Sequence, residues 1–242
     1  MKKDQMNKFI FDVDGTLTPS RQKIDPKFEE WFFHFCSDNE VYLVTGSDYA
    51  KTVEQLGERI VDRVKAIYNC SGNDVYSHGE NIRRKDWTLP EESRTLLQGW
   101  LEISRFPLRT GNHFEERPGT VNFSIVGRNA TLGERKMYVE WDLENRERES
   151  IALQFNMMYG DTITAKIGGE TGIDIYPTGW DKSQIIKDFD LKEDRLYFFG
   201  DKIMPGGNDE PLAKLIKNSY QVKGWTETWE RLGYLQEAKL AA

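Results

Sequence analysis

The sequence predicts an α/β protein, a parallel sheet core with a separate α+β domain inserted into it. Three observations carry that expectation. Apolar runs at 9–13, 41–44, 66–69 and 195–199 read as short strands buried on both faces. The first two are followed by segments of helical periodicity, and this βαβα order implies parallel strands with right-handed crossovers. From about residue 80 to 180 the pattern becomes helix, hairpin, long helix and paired strands, a layer that cannot continue a parallel sheet directly. The expected division is therefore 1–79 with 181–242 for the core and 80–180 for the insertion.

The chain is organised around Lys8–Thr18, KFIFDVDGTLT. Phe9, Ile10, Phe11 and Val13 supply an apolar run that stops at Gly15. Side chains two apart on a strand point the same way, so Asp12 and Asp14 are expected to leave its carboxyl end together, where ligands bind in a parallel sheet. A lone Asp-Gly pair reads as a turn, but two carboxylates at this point repel each other unless a cation lies between them. The spacing suits phosphoryl transfer through an aspartyl phosphate. One carboxylate attacks phosphorus in line, its neighbour protonates the departing oxygen, and magnesium offsets the repulsion.

The remaining elements follow in order. Asp25-Pro26 opens a helix as N-cap and first helical residue, and Phe28, Trp31, Phe32 and Phe35 pack it on the sheet. The strand 41–44 ends in Thr45-Gly46-Ser47-Asp48, which places Ser47 beside the end of the first strand; helix capping explains Ser47 and Asp48 equally well. One helix from Asp48 turns Val53, Leu56 and Ile60 inward, and 71–74 is a turn after the third strand. In the insertion, Leu96, Leu97, Trp100, Leu101 and Ile103 mark an amphipathic helix. Residues 112–117 and 120–127 form a hairpin about Pro118-Gly119, 133–159 one long helix, and 162–168 and 172–176 two strands. After Pro177-Thr178-Gly179-Trp180, Asp181-Lys182 begins a helix through Ile185, Ile186 and Phe189. The strand 195–199 then ends in a second acidic, glycine-rich loop, GDKIMPGGND, at 200–209. Magnesium takes hard oxygen ligands and keeps several waters, so Asp201 is the expected direct ligand and Asp209 a supporting or loop-ordering residue.

Composition excludes several classes. A net charge of −7 argues against nonspecific nucleic-acid binding. No apolar run is long enough to span a bilayer, and MKKDQMNKF lacks the apolar stretch of a secretory signal, so a cytoplasmic protein without a membrane partner is expected. Cys36 and Cys70 have no metal-ligand spacing and are expected to be buried thiols.

The string DVDGT, followed by a hydrophobic residue and Thr, resembles the first motif of the haloacid dehalogenase (HAD) superfamily. Four longer blocks, FDVDGTLTPSRQKI (11–24), GRNATLGER (127–135), GGETGIDIYPTGWDK (168–182) and FFGDKIMPGGND (198–209), resemble those of the eukaryotic-type phosphomannomutases, in register over nearly the whole chain. The resemblance implies a HAD-like Rossmannoid core with an inserted cap of the C2 type. It gives Asp12 as nucleophile and Asp14 as general acid/base, with Ser47 as donor to a phosphate oxygen and Lys182 neutralising the crowded carboxylates. Its Mg2+ site draws on Asp12, the main-chain carbonyl of Asp14, Asp201 and Asp209.

Arg21 takes the place of the core-side substrate arginine, and Arg117, Arg128 and Arg135 those of the cap phosphate ligands. Arginine suits a bidentate grip on phosphate, and these three flank a hairpin and open a helix, so they could converge on one cap face; surface arginines are equally common in so charged a chain. Asp174 falls where the family binds sugar hydroxyls. Gly172 stands where the family has serine, Ile203 where it has threonine and Glu210 where it has histidine. The implied reaction interconverts hexose 1-phosphate and 6-phosphate, of mannose or else of glucose, with hexose 1,6-bisphosphate as activator. It belongs to mannose metabolism and GDP-mannose biosynthesis. A homodimer through the cap is implied as well. Two alternatives remain: a sugar-phosphate phosphatase in which Asp14 activates water, and a non-catalytic sugar-phosphate-binding protein, against which the complete acidic and basic set speaks.

Overall fold

Alternating residues of the first strand face opposite sides of the sheet, and both sides are buried. Phe9 and Phe11 join Phe28, Phe32, Phe35, Leu43 and Phe199 in one apolar cluster, while Ile10 joins Val44, Tyr68, Ile185, Phe198 and Leu212 in another. That is why the strand reads as a continuous apolar run. The computed structural model describes residues 6–240 and divides into two units. One unit is the chain up to Arg84 together with the part from Asp181 onward; the other is Lys85–Trp180.

The first unit begins with β1 (Met6–Phe11), α1 (Pro26–Asp38), β2 (Glu40–Val44), α2 (Tyr49–Leu56), α3 (Glu58–Val61), β3 (Ala66–Asn69), β4 (Asp74–Ser77) and β5 (Glu80–Arg84). The second contains α4 (Glu91–Ile103), β6 (Phe114–Arg117), β7 (Thr120–Phe123), α5 (Leu132–Asn145), α6 (Glu147–Tyr159), β8 (Ile163–Gly168) and β9 (Gly172–Pro177). On its return the chain adds β10 (Asp194–Gly200), α7 (Glu210–Ala213), β11 (Asn218–Gln221) and α8 (Trp225–Leu240) to the first unit. The first unit's sheet has the order β11-β10-β1-β2-β3-β4-β5, parallel from β11 through β3. The two acid-bearing strands, β1 and β10, are direct neighbours, with Phe11 opposite Phe199 and their rings stacked at 5.0 Å. This adjacency brings loops almost two hundred residues apart to the carboxyl end of the parallel strands.

The insertion starts later than expected, after Arg84. A 3-10 turn at Cys70–Gly72, with Ser71 at φ 59°, reverses the chain so that β4 pairs antiparallel with β3, and β5 with β4. β5 is the polar ENIRR, an exposed edge strand with no apolar alternation to betray it. Arg83 anchors it through a bidentate pair with Asp188 at 2.7 and 3.0 Å. Two expected helices are also broken. Gly57, at φ 76°, separates α2 from α3. Arg146, at φ 51°, separates α5 from α6, where Asp142 accepts from the backbone and guanidinium of Arg148. Residues 182–188 form a 3-10 helix rather than an α-helix, held by Gln184 Nε2 on the Ser71 carbonyl.

The second unit is built on an antiparallel sheet of order β6-β7-β9-β8, with α6 packed on β8 and β9 through Ile151, Ala152 and Phe155. Ile103, expected on the buried face of its helix, is 74% exposed, because α4 buries only its Ser93–Leu97 side. In the first unit α8 lays Trp225 and Trp229 on Phe28. Cys36 and Cys70 are buried and unbridged, and burial pushes the Cys36 thiol well above its usual range. Among the described residues no helix is long and apolar enough to cross a membrane.

Candidate active site

Asp12 continues β1 by one more ladder bond, its N–H donating to the Phe199 carbonyl at 2.9 Å. The chain then folds tightly over Val13, whose carbonyl accepts from the N–H groups of Thr16, Leu17 and Thr18. Gly15 sits inside this turn at φ 79°, and a Cβ there would lie 2.4 Å from Asp201 Oδ2. Only glycine lets the β1 loop approach the β10 loop so closely.

The approach gathers three carboxylates, Asp12, Asp201 and Asp209, whose nearest oxygens all lie within 4.8 Å of one another. Lys182, 1% exposed, donates to Asp12 Oδ1 at 2.5 Å and to Asp209 Oδ1 at 2.7 Å. Burial, together with the Asp209 and Asp201 carboxylates, pushes Asp12 up to about 8 against the pull of Lys182. Burial likewise raises Asp201. Burial alone would depress the Lys182 ammonium, but Asp12 and Asp209 override it and hold it above its usual value. Three carboxylates facing one ammonium form an oxygen-rich, electron-rich pocket of the kind a hard divalent cation suits. Asp209 is fully buried, and its second oxygen accepts from the Lys202 N–H at 3.0 Å, so it ties the glycine-rich loop to the lysine. Glu210 orders the same loop, accepting from the Gly206 N–H at 2.7 Å.

Asp14 leaves the same turn but takes different partners, so the two aspartates expected to reach out together serve separate networks. Its Oδ1 accepts from the Arg21 N–H at 2.5 Å and from Gln55 Nε2 at 2.9 Å. Its Oδ2 faces Ser47 Oγ at 3.4 Å. The carboxylate of Asp14 is not part of the crowded acidic triad, which leaves only its main chain for the expected metal contact. The ambiguity over capping is resolved by α2, whose N-cap is Asp48, accepting from Lys51 N–H at 2.8 Å. Ser47 is thereby left to face Asp14.

In the second unit Arg117 and Arg128 meet on one carboxylate, Glu115. Arg117 donates to it at 2.8 and 2.9 Å, and Arg128 through Nε. Burial opposes the ionised form of Glu115, but Arg117 and Arg128 hold it below its usual value. Arg135 pairs instead with Glu170 at 3.5 Å, so two of the three expected cap arginines share a partner and the third has its own. Asp174 lies opposite Asn122 in the sheet and accepts from its Nδ2 at 2.6 Å. Gly172 is where that asparagine fits: a Cβ at 172 would stand 2.4 Å from Asn122 Nδ2.

The chain matches the family model described as "Eukaryotic phosphomannomutase" over residues 28–235. The protein belongs to that family. It is 35% identical over 213 residues to mouse Phosphomannomutase 1, covering 83% of this chain and 80% of the relative. It is 32% identical over 210 residues to the phosphomannomutase of Saccharomyces cerevisiae, covering 83% of this chain and 82% of the relative. Among solved structures it resembles the C-terminal domain of C. albicans trehalose-6-phosphate phosphatase, with TM-score 0.60, 19% identity, and 88% and 74% of the two chains covered. A trehalose-6-phosphate phosphatase related protein gives TM-score 0.58 at 16% identity, with 97% of this chain and 99% of that chain covered. At such identities these neighbours bear on the fold, which is the HAD-like core with an inserted cap. Family membership implies a divalent metal, and Asp12, Asp201 and Asp209 form the acidic set available to it.

Several partners of the expected site residues, in the one unit or in the other, were not singled out from sequence. Thr16 Oγ1 donates to Asp12 Oδ2 at 3.2 Å, and its own carbonyl accepts from Thr228 Oγ1 of α8 at 2.8 Å. Gln55, Glu115 and Asn122 are of the same kind. The available signals were a threonine inside DVDGT, a glutamine on the apolar face of a helix, and a polar residue at an inward position of β7.

Proposed function

We propose that the protein is a phosphomannomutase that interconverts hexose 1-phosphate and hexose 6-phosphate, mannose or glucose, through a phosphoaspartate at Asp12. The observation that carries this reading is the separation of two aspartates from one turn. Asp12 is held by Lys182 within the acidic triad, while Asp14 stands outside it, held by neutral donors. That separation supports a reading in which one carboxylate forms a bond and the other moves a proton.

An Asp12 oxygen bonds to phosphorus as the phosphate–sugar bond breaks, and Asp14 gives its proton to the sugar oxygen. In the return transfer Asp14 takes a proton from the attacking hydroxyl as the Asp12–phosphorus bond breaks. Lys182 and Ser47 offer donors to the phosphoryl oxygens, and Lys182 favours the ionised form of Asp12 against its burial. Asp12, Asp201 and the main-chain carbonyl of Asp14, supported by Asp209, would hold Mg2+, which when bound would neutralise charge on the phosphoryl group. Arg21 is assigned to the core side of the substrate. Arg117, Arg128 and Arg135 are assigned to the phosphate that is not reacting, and Asp174 to the sugar hydroxyls. Hexose 1,6-bisphosphate is the activator that loads Asp12. We assign the protein to the cytoplasm, as a homodimer through the cap and with no nucleic-acid or membrane partner.

The test is an assay of the purified protein with Mg2+, mannose 1-phosphate or glucose 1-phosphate and a trace of bisphosphate. The 6-phosphate sugar and free phosphate are followed together. Isomerised sugar without phosphate release is expected. Phosphate release that dominates even with activator present rejects the mutase in favour of a phosphatase, and neither product with ligand binding retained marks a binding protein.

A further inference from the structure

Gln55 lies on the buried face of α2, 1% exposed, between the buried Thr52 and Leu56. Its Nε2 is within hydrogen-bond distance of three acceptors: Asp14 Oδ1 at 2.9 Å, Thr18 Oγ1 at 3.1 Å and the Gln22 carbonyl at 3.3 Å. Its own main-chain carbonyl accepts from the Ile24 N–H at 2.9 Å. One residue of α2 therefore pins the loop that carries Asp14 at its start and at its end. The orientation of the amide follows from chemistry, because an ionised carboxylate and a main-chain carbonyl can only accept. The nitrogen must face them. Among the described residues the buried amide oxygen has no hydrogen-bond partner, an unfavourable arrangement, so the side chain's bonds run through its nitrogen alone.

We infer that Gln55 is a positioning residue for the acid/base, fixing which oxygen of Asp14 handles the proton. The inference rests on the reading of Asp14 as that acid/base. Oδ1 faces two N–H donors, those of Gln55 and of the Arg21 main chain, and a proton placed on it would set O–H against N–H. The proton is therefore carried on Oδ2, the oxygen directed to Ser47. In the first transfer it leaves Oδ2 for the sugar oxygen as the phosphorus–sugar bond breaks and the bond from Asp12 to phosphorus forms. In the second it returns to Oδ2 from the attacking hydroxyl as the Asp12–phosphorus bond breaks. Without Gln55 the carboxyl can rotate and the loop is untied at Thr18 and Gln22, so the two oxygens lose their distinct roles.

Gln55→Met keeps length and bulk but has no N–H. The full chain with Mg2+ is given two donors. One is hexose 6-phosphate with bisphosphate, whose leaving alkoxide needs a proton; the other is acetyl phosphate, whose acetate leaves without one. The level of phosphorylated protein formed from acetyl phosphate is read alongside sugar turnover. The ratio of sugar turnover to acetyl-phosphate transfer is expected to fall about 10- to 100-fold, a part of the ~10²–10⁴ that proton transfer contributes. An unchanged ratio, whether both rates fall together or neither does, overturns the inference. Should Gln55→Met not fold, Gln55→Glu, of the same length with an acceptor in place of the donor, is put to the same comparison. Asp14→Ala separates the two readings. If it shows no such split, the acid/base assignment itself fails; if it does and the Gln55 variant does not, only the role of Gln55 is lost.

Discussion

Replacing Lys182 by methionine removes the ammonium that touches both Asp12 and Asp209 while leaving the buried volume nearly filled. Lys182 and Asp209 are 1% and 0% exposed and Asp12 3%, so water cannot take over the lost contacts at 2.5 and 2.7 Å. Breaking a buried pair by removing one partner costs about 3–5 kcal/mol, because a charge is left uncompensated. Here the escape is protonation, since burial and its acidic neighbours already push Asp12 up to about 8. The cost should therefore be smaller near pH 5.5, where Asp12 is protonated with or without the lysine, and grow toward pH 8, where Asp12 begins to ionise in the parent but not in the variant. Urea unfolding in the presence of a chelator, at both pH values, measures it. Adding a divalent cation should recover part of the loss, because it neutralises the same carboxylates. Asp12→Asn combined with Lys182→Met should be less destabilised than the sum of the singles, by about 0.5–3 kcal/mol. A Lys182→Met protein within about 1 kcal/mol of the parent at pH 8 without metal would refute the reasoning, since no buried charge would then depend on the lysine.

Arg128→Ala should raise the KM for hexose phosphate more than it lowers kcat, which steady-state kinetics reads directly; an unchanged KM removes Arg128 from the substrate site. Glu115 is held below its ordinary value by Arg117 and Arg128 against the effect of burial, so its contribution to stability is present above about pH 4.5 and lost as pH falls through the lower folded-state value. Glu115→Gln should flatten that part of the melting-temperature profile between about pH 5 and 3. A slope unaltered by the substitution would show that the two arginines do not stabilise the carboxylate. Gly172→Ser, which restores the residue the family has at this position, should destabilise the protein by about 1–3 kcal/mol, because its Cβ would meet Asn122 at 2.4 Å. Asn122→Ala in the same chain should relieve that penalty. A Gly172→Ser variant as stable as the parent would mean that Asn122 readily gives way.

What could be read from the chain alone was whatever depends on neighbouring residues. The alternation-free apolar run of β1, the Asp25-Pro26 helix start, the Pro118-Gly119 hairpin and the DVDGT turn are local arrangements of side-chain size, backbone freedom and charge, and each lies where its own residues put it. The elements that went unread lacked such a signal. β5 is polar because it is an edge strand, and its place comes from pairing with β4 and from Arg83 reaching Asp188, 105 residues away. Gly57 and Arg146 interrupt helices whose apolar spacing runs straight through them.

The same division runs through the site. The residue types were legible, because two acidic loops after apolar strands and a lysine after a glycine-rich turn are unusual without shared chemistry. The sequence alone therefore determined that carboxylates, an ammonium and arginines would be available, and on which strand ends. Only the tertiary structure decided that Lys182 bridges Asp12 and Asp209, that Asp14 is drawn away by Gln55 and Arg21, and that Glu115 gathers two of the three arginines. The physical reason is range. Propensity and periodicity act over a few residues, whereas the partner of a buried charge is chosen by the whole packing, as in the contact of Lys182 with Asp12, 170 residues apart in the chain.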